Sequence, residues 1–472
     1  MEPENYKFGG GAAETVLHPI VLVAMIIAIL LVLLLPRKYV LVVFLISTFL
    51  IPGGQQFLVA GVHVFVFRVI VLTGLIRMLW VKFSSQQPVL GTPWNSVDTA
   101  FSLSVVLHAL AFTLLYLAAA AAVNQFGYIW DFLGGYFLLR YAIHDETDIR
   151  RAIKCFAVLA AIMAICMIRE QITGQNIFGL LGGVRLESEV REGRIRSEAV
   201  FQHSILAGTF GAVLFPLFAW LWKNGKDRIL AVIGALSCMV VTVTCFSSTP
   251  VLAFVAGIFA IFFWPFRRYM RLVRWGIVSA LLGLSLVMKA PVWFLIAHVG
   301  VLGGSSTYHR ADLVDTFIRH VGDWWLLGTA KNNSWGYFMF DTSNSYVAEG
   351  VTGGLFALIF FIATISRSFG RVGNARKAVE GGDRQAEWLL WLLGCALFAN
   401  TVAFFGISYF DQMKVSWFAL LAMVCAATAP FLKQTVASAE AVVGTGMVVA
   451  KARSTQLPRS SPRPNAAAVR YR

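Results

Sequence analysis

Long apolar runs separated by short polar breaks fill the chain from about residue 16 to residue 432. An α-helix rises 1.5 Å per residue, so roughly 20 apolar residues cover the ~30 Å hydrocarbon core of a bilayer. The pattern predicts helices near residues 16–35, 39–52, 59–80, 99–122, 126–143, 152–168, 200–222, 229–246, 249–265, 273–295, 346–366, 387–407 and 413–432. The expected fold class is an all-α polytopic membrane protein of about 12–13 transmembrane helices, with the second and fifth runs short and a larger outer loop before the third-last helix. Residues 1–432 form the transmembrane unit. Residues 433–472, rich in Ala, Ser, Pro and Arg, read as a disordered basic cytoplasmic tail.

Composition agrees with a lipid-solvated chain. Hydrophobic residues make up 58% and charged residues only 13%, about half the charge of a soluble domain, and the mean hydropathy is +0.73. The net charge of +15 comes from cations at loop ends, where they suit an anionic leaflet, so no nucleic acid partner is expected. The six cysteines lie in apolar runs and read as small hydrophobes. The first run lacks a small-residue cleavage site, so it is expected to be retained.

Cations recur in every second loop: Arg37 and Lys38, Arg77 and Lys82, Arg150, Arg151 and Lys154, Lys223, Lys226 and Arg228, Arg267 to Arg274, and Arg367 to Arg384. The positive-inside rule makes those loops cytoplasmic. Pro52 to Gln56, Val123 to Gly127, Ser247 to Pro250 and the turn around Asp411 carry no Lys or Arg and fall outside. The expectation is a multi-pass protein of a bacterial inner (plasma) membrane, N-terminus periplasmic and C-terminus cytoplasmic, surrounded by membrane lipids. On the cytoplasmic side His144 to Asp148 is expected to cap a helix starting near Ile149, with Asp148 or Thr147 supplying the oxygen.

Two outer segments break the pattern of short uncharged turns. Residues 169–198 hold Arg169, Arg185, Arg191, Arg194 and Arg196 against Glu170, Glu187, Glu189, Glu192 and Glu198. Residues 297–345 hold Tyr308-His309-Arg310, Arg319, His320, Trp324, Trp325, Lys331 and a run from Asp341 into Tyr346.

Three stretches in these segments carry a resemblance. They are Glu170 to Gly174 with Arg194-Ile195-Arg196 through Phe201-Gln202-His203; Ser305 to Arg310 with Leu326-Leu327-Gly328; and Ser343-Asn344-Ser345-Tyr346 with Glu349-Gly350 and Gly353-Gly354. Together they resemble the O-antigen ligase and O-antigen polymerase superfamily, over roughly residues 155–430. The sequence departs where the family's histidine falls on Ser343. The resemblance implies a metal-independent glycosyltransferase of surface or exopolysaccharide synthesis. It would use a polyprenyl (undecaprenyl) diphosphate-linked glycan as donor and a glycan or lipid as acceptor, with polysaccharide export or chain-length proteins as candidate partners. The missing histidine favours a polymerase over a ligase.

Such a transfer releases a multiply charged diphosphate, and guanidinium forks bind phosphate oxygens bidentately. Arg196 and Arg310 are therefore the candidate clamp, although an arginine at a helix end is ordinarily an interfacial anchor. Arg185, Arg191 and Arg194 read as partners of the neighbouring glutamates. His309 is the candidate proton carrier and His203 a weaker one that would contact substrate. Asn344 and Tyr346 would orient the acceptor, and Arg68, inside an apolar run, would mark a lateral groove for lipid diphosphate. His108 reads as a satisfied core histidine, and Trp324 and Trp325 as members of an aromatic belt. No Asp-x-Asp pair lies in either outer segment, so no metal and no cofactor is expected. The competing readings are a permease or lipid-linked glycan flippase without catalysis, and a scaffold for an export complex.

Overall fold

The computed structural model describes residues 15–59, 61–85, 88–223, 225–295 and 305–432. The basic tail from residue 433 and the first part of the second outer segment lie outside them. Helices form in all thirteen apolar runs. They are α1 (Pro19–Leu34), α2 (Arg37–Leu50), α3 (Val66–Ser85), α4 (Ser96–Tyr116), α5 (Ala119–Ile129), α6 (Gly135–Ala142), α7 (Glu146–Thr173), α8 (Ser204–Lys223), α9 (Arg228–Thr244), α10 (Ser248–Phe262), α11 (Met270–Val287), α12 (Ser305–Arg319), α13 (Ser345–Ala378), α14 (Arg384–Ala403) and α15 (Met413–Leu432). Besides several short helical turns there are two small antiparallel hairpins: β1 (Gln56–Val59) with β2 (Val62–Phe65), and β3 (Glu189–Arg191) with β4 (Arg194–Arg196).

Among the described residues seven helices are long and apolar enough to cross a membrane: α4, α7, α8, α11 with its preceding turn from Trp264, α13, α14 and α15. Helices α1, α9 and α10 are apolar but shorter. The remaining runs fall short for visible reasons. Helix α2 has 14 residues, α3 carries Arg68, Arg77 and Lys82, and residues 119–142 are interrupted by a π-helical segment, Trp130–Gly134, between α5 and α6.

Helix α8 sits at the centre, packed by α7, α9, α10 and α14, while α4 runs along α13. Phe49, Phe156, Phe201 and Phe210 meet at one end of the core, with Phe49 and Phe210 centroids 4.9 Å apart. Ile20, Ile26 and Leu30 of α1 and Ile229, Leu236 and Met239 of α9 point outward; so wide an apolar exterior is disfavoured in water and required in lipid. Helix α11 buries none of its residues.

The cation-bearing loops gather at one end of the bundle. There Arg37 pairs with Asp148 (2.9 Å), Lys154 with Asp227 (2.6 Å), and both Arg267 and Arg376 with Glu387 (2.8 and 3.1 Å). Just inside this end Arg140, fully buried, donates to both carboxylate oxygens of Asp98 (2.9 and 3.0 Å). The cap of α7 is Asp145, whose carboxylate accepts the Asp148 N–H at 2.9 Å, and not Asp148 or Thr147. Asp148 instead receives Arg37 and Arg151.

The other end, here the loop face, carries the two polar segments. A break in α13 ties the second one down. Gly354 has φ 72°, and a Cβ there would lie 2.5 Å from the Leu326 carbonyl oxygen. The helical hydrogen bond from Leu355 to Val351 is replaced by two others: Leu355 N–H donates to Trp325 O (2.9 Å) and Thr329 N–H donates to Val351 O (2.7 Å). Gly328, at φ 85°, makes the matching turn in the inserted loop. Beneath it Phe317 stacks on Trp324 at 3.9 Å in a small separate core. Trp324 is thus buried and donates its indole N–H to Phe317 O (2.8 Å), instead of standing in a belt; Trp325 is exposed.

Candidate functional site

Arg196 ends the β3–β4 hairpin, which turns at Glu192 and Gly193, both with positive φ. Such a two-residue turn suits the twist of a tight hairpin. The register sets Arg196 opposite Glu189, and its Nη1 pairs with the Glu189 carboxylate at 3.0 Å while the residue is 3% exposed. The hairpin is fastened to the helices beneath it. Gln171 Nε2 donates to Ile195 O, Ser197 Oγ and Thr244 O, and the Glu170 carboxylate accepts the backbone N–H groups of Glu198 and Ala199.

Arg310, in the second turn of α12, is 8% exposed. Its guanidinium makes no hydrogen bond or ion pair among the described residues. The charges acting on it are Asp341, which favours the cation, and Arg191 and Arg196, which oppose it. Burial and these two arginines bring its pKa down to about 10, with Asp341 acting in the other direction, so it stays cationic at neutral pH. A largely buried cation with no ion pair among the described residues, outweighed locally by two like charges against one carboxylate, is unfavourable. Its surroundings are suited to an incoming anion.

The two outer segments therefore converge, and Arg196 and Arg310 belong to one electrostatic cluster. His203 joins it: its pKa is lowered by burial first and by Arg196 and Arg185, against Glu189 and Asp341. Its Nδ1 accepts the Ile205 N–H at 3.1 Å, so the imidazole caps α8 and directs Nε2 elsewhere. His309 is half-buried, with Nε2 3.5 Å from the Asp341 carbonyl oxygen. Glu198 is buried beside Glu170, and both effects push its pKa up to about 8. It is a neutral carboxylic acid near pH 7.

The other candidates are engaged within the protein. Asn344 caps α13, its Oδ1 accepting the Tyr346 and Val347 N–H groups (2.9 and 3.2 Å) and its Nδ2 donating to Phe405 O (3.3 Å). Tyr346 donates to Thr401 O at 3.2 Å and packs on Phe405. Arg68 pairs with Asp131 (3.0 Å), which also holds Lys414 (3.0 Å). His108 pairs with Glu349 at 2.9 Å and stacks on Tyr128. Ser343, at the departure from the family pattern, hydrogen-bonds the Asp341 carboxylate.

Arg185, Arg191 and Arg194 form no ion pair with the neighbouring glutamates among the described residues; Arg194 lies over the Phe246 ring at 5.4 Å. Asp341 and Glu189 act on this cluster; sequence reasoning gave Asp341 no role and counted Glu189 only among the glutamates expected to partner Arg185, Arg191 and Arg194. Alternation across the Glu192-Gly193 turn was the available signal for Glu189; nothing local pointed to Asp341. Among the described residues no three His, Cys, Asp or Glu side chains are arranged to hold a metal ion. No known family model matches the chain, and no curated protein matches it.

Proposed function

We propose that the protein is a glycan polymerase or ligase of a bacterial inner membrane. In this reading it moves sugar from a polyprenyl diphosphate carrier to an acceptor glycan or lipid, at a loop face directed away from the cytoplasm. The observation that carries the reading is Arg310, 8% exposed and with no hydrogen bond or ion pair to its guanidinium among the described residues, beside Arg191 and Arg196 at the end of an apolar bundle. A lipid carrier delivers its diphosphate to that depth. In the transfer an acceptor hydroxyl oxygen attacks the anomeric carbon, the carbon–oxygen bond to the diphosphate breaks, and the diphosphate leaves with the electron pair. Charge grows on the leaving oxygens, so cations fixed beforehand stabilise the transition state more than the ground state. His309, beside Asp341, is the group suited to take the acceptor's proton.

The test replaces Arg310 and Arg196 singly by lysine in a strain that depends on this protein for surface polysaccharide. Lysine keeps the charge and loses the fork. The expected loss is about 2–4 kcal/mol of transition-state stabilisation, roughly 30-fold to 1000-fold in rate, with normal accumulation of the protein in the membrane. Normal polysaccharide from both variants would remove the clamp and leave a permease or flippase as the better account. Lipid-linked single repeat units accumulating in the deletion strain would mark a polymerase, and full-length lipid-linked chains a ligase.

A further inference from the structure

A cavity of about 220 Å³ lies beside the arginine cluster, between the C-terminal end of α2, the start of α3 and the turn leading into α15. It is joined to the cluster through one residue: Gln202 lines it and precedes His203, and the Gln202 N–H donates to Asp411 Oδ2 at 3.0 Å. We infer that this cavity binds one sugar ring, through Thr48, Asp411 and Gln412.

The chemistry of the lining selects that class of ligand. Thr48 and Gln412 are 4% and 5% exposed, yet Thr48 Oγ1 and Gln412 Oε1 have no hydrogen-bond partner among the described residues. Both residues line the cavity. The amide is already oriented, because Gln412 Nε2 donates to Ile51 O at 2.9 Å. Asp411 uses Oδ2 for Gln202, and its Oδ1 occupies the space above Gly53, where a Cβ would come within 1.7 Å of it. The lining thus brings together a hydroxyl, an amide oxygen and a carboxylate, and buried polar atoms left unmatched are unfavourable. A sugar ring supplies several hydroxyl donors at once.

Competing ligands fit less well. A phosphate would meet the Asp411 and Asp131 carboxylates, and the one ammonium in the lining, Lys414, is already held by Asp131. A hydrocarbon tail would leave the amide and hydroxyl oxygens unsatisfied. Phe67 and Phe410 line the same space, matching the apolar C–H faces of a pyranose. The role given to the ring, acceptor for the transfer, rests on the proposed function; the binding itself does not.

The experiment uses the full chain in lipid nanodiscs. Saturation-transfer NMR is run with the methyl glycosides of glucose, galactose, mannose and N-acetylglucosamine, with empty nanodiscs as control, and undecaprenyl diphosphate binding is measured in parallel. Thr48→Val and Asp411→Asn preserve shape and fold. At least one glycoside should bind the wild type, and each variant should weaken it roughly tenfold, the effect of one lost buried hydrogen bond, while undecaprenyl diphosphate affinity stays within about twofold. If no glycoside binds the wild type, or if both variants bind as well as it does, the inference falls. Glycoside binding without diphosphate binding would keep the cavity and overturn the transfer reading. Diphosphate binding without glycoside binding would do the reverse.

Discussion

Glu198 is the residue whose protonation couples most directly to the stability of the arginine hairpin. Its carboxyl has a reference pKa of 4.5 and is pushed to about 8 in the folded protein. Between those values the folded state binds more protons than the unfolded one, so stability falls as pH rises through that window and levels off above it. Glu198→Gln mimics the neutral acid. Thermal unfolding in nanodiscs from pH 5.5 to 9 should show the wild-type midpoint declining with pH and the variant declining less; parallel curves would contradict this. Residues of this kind separate what a sequence discloses from what it hides. Arg196 and Arg310 stand out in the sequence because they sit in segments where the positive-inside bias leaves few cations. Glu198 and Asp341 do not, because one owes its raised pKa to burial first and to Glu170 next, and the other its importance to residues about 30 to 150 positions away. Asn344 shows a second role that its place in a motif did not disclose: its side chain caps a helix.

Among the elements, α13 shows how a helix can be interrupted to fix a loop. Alanine at Gly354 would have to adopt φ near 72° with its Cβ 2.5 Å from Leu326 O. Strain of that kind is on the order of 1–3 kcal/mol. Gly354→Ala should therefore lower the unfolding midpoint and speed proteolytic cutting between α12 and α13; unchanged cutting would mean the loop does not depend on the break. The apolar run made α13 itself easy to read. The break was not, since it exists only because the Trp325–Thr329 loop supplies replacement hydrogen bonds. The β3–β4 hairpin was hidden likewise, its alternating charges reading as a polar loop. The π-helical segment before α6 has no sequence signature, yet it holds Asp131 within reach of both Arg68 and Lys414.

At the scale of the molecule, the alternation of charged and uncharged loops along the chain corresponds to two chemically different ends. A reporter fused after Arg384 should read as cytoplasmic and one inserted near Ser334 as external, checked with paired phosphatase and fluorescent-protein fusions. The reverse outcome would put the arginine cluster on the cytoplasmic side and overturn the proposed function. The apolar runs predicted the helices well because hydrocarbon imposes a single rule of length and polarity along each run. The number long enough to cross was less legible, since interruptions such as that after Ile129 depend on packing. The loop that follows α12, the helix carrying Arg310, is bonded into the opened helix, and the strand carrying Arg196 is bonded to the end of α7. Both backbone segments are consequently set in place, and Glu189 holds the Arg196 guanidinium. Under the proposed function, a diphosphate docking there would meet a backbone already ordered and would avoid part of the ~0.5–1.5 kcal/mol of ordering entropy that each mobile side chain adds. Capture should then be governed by lateral diffusion of the lipid toward the bundle, and should follow bilayer fluidity more closely than the viscosity of the surrounding water.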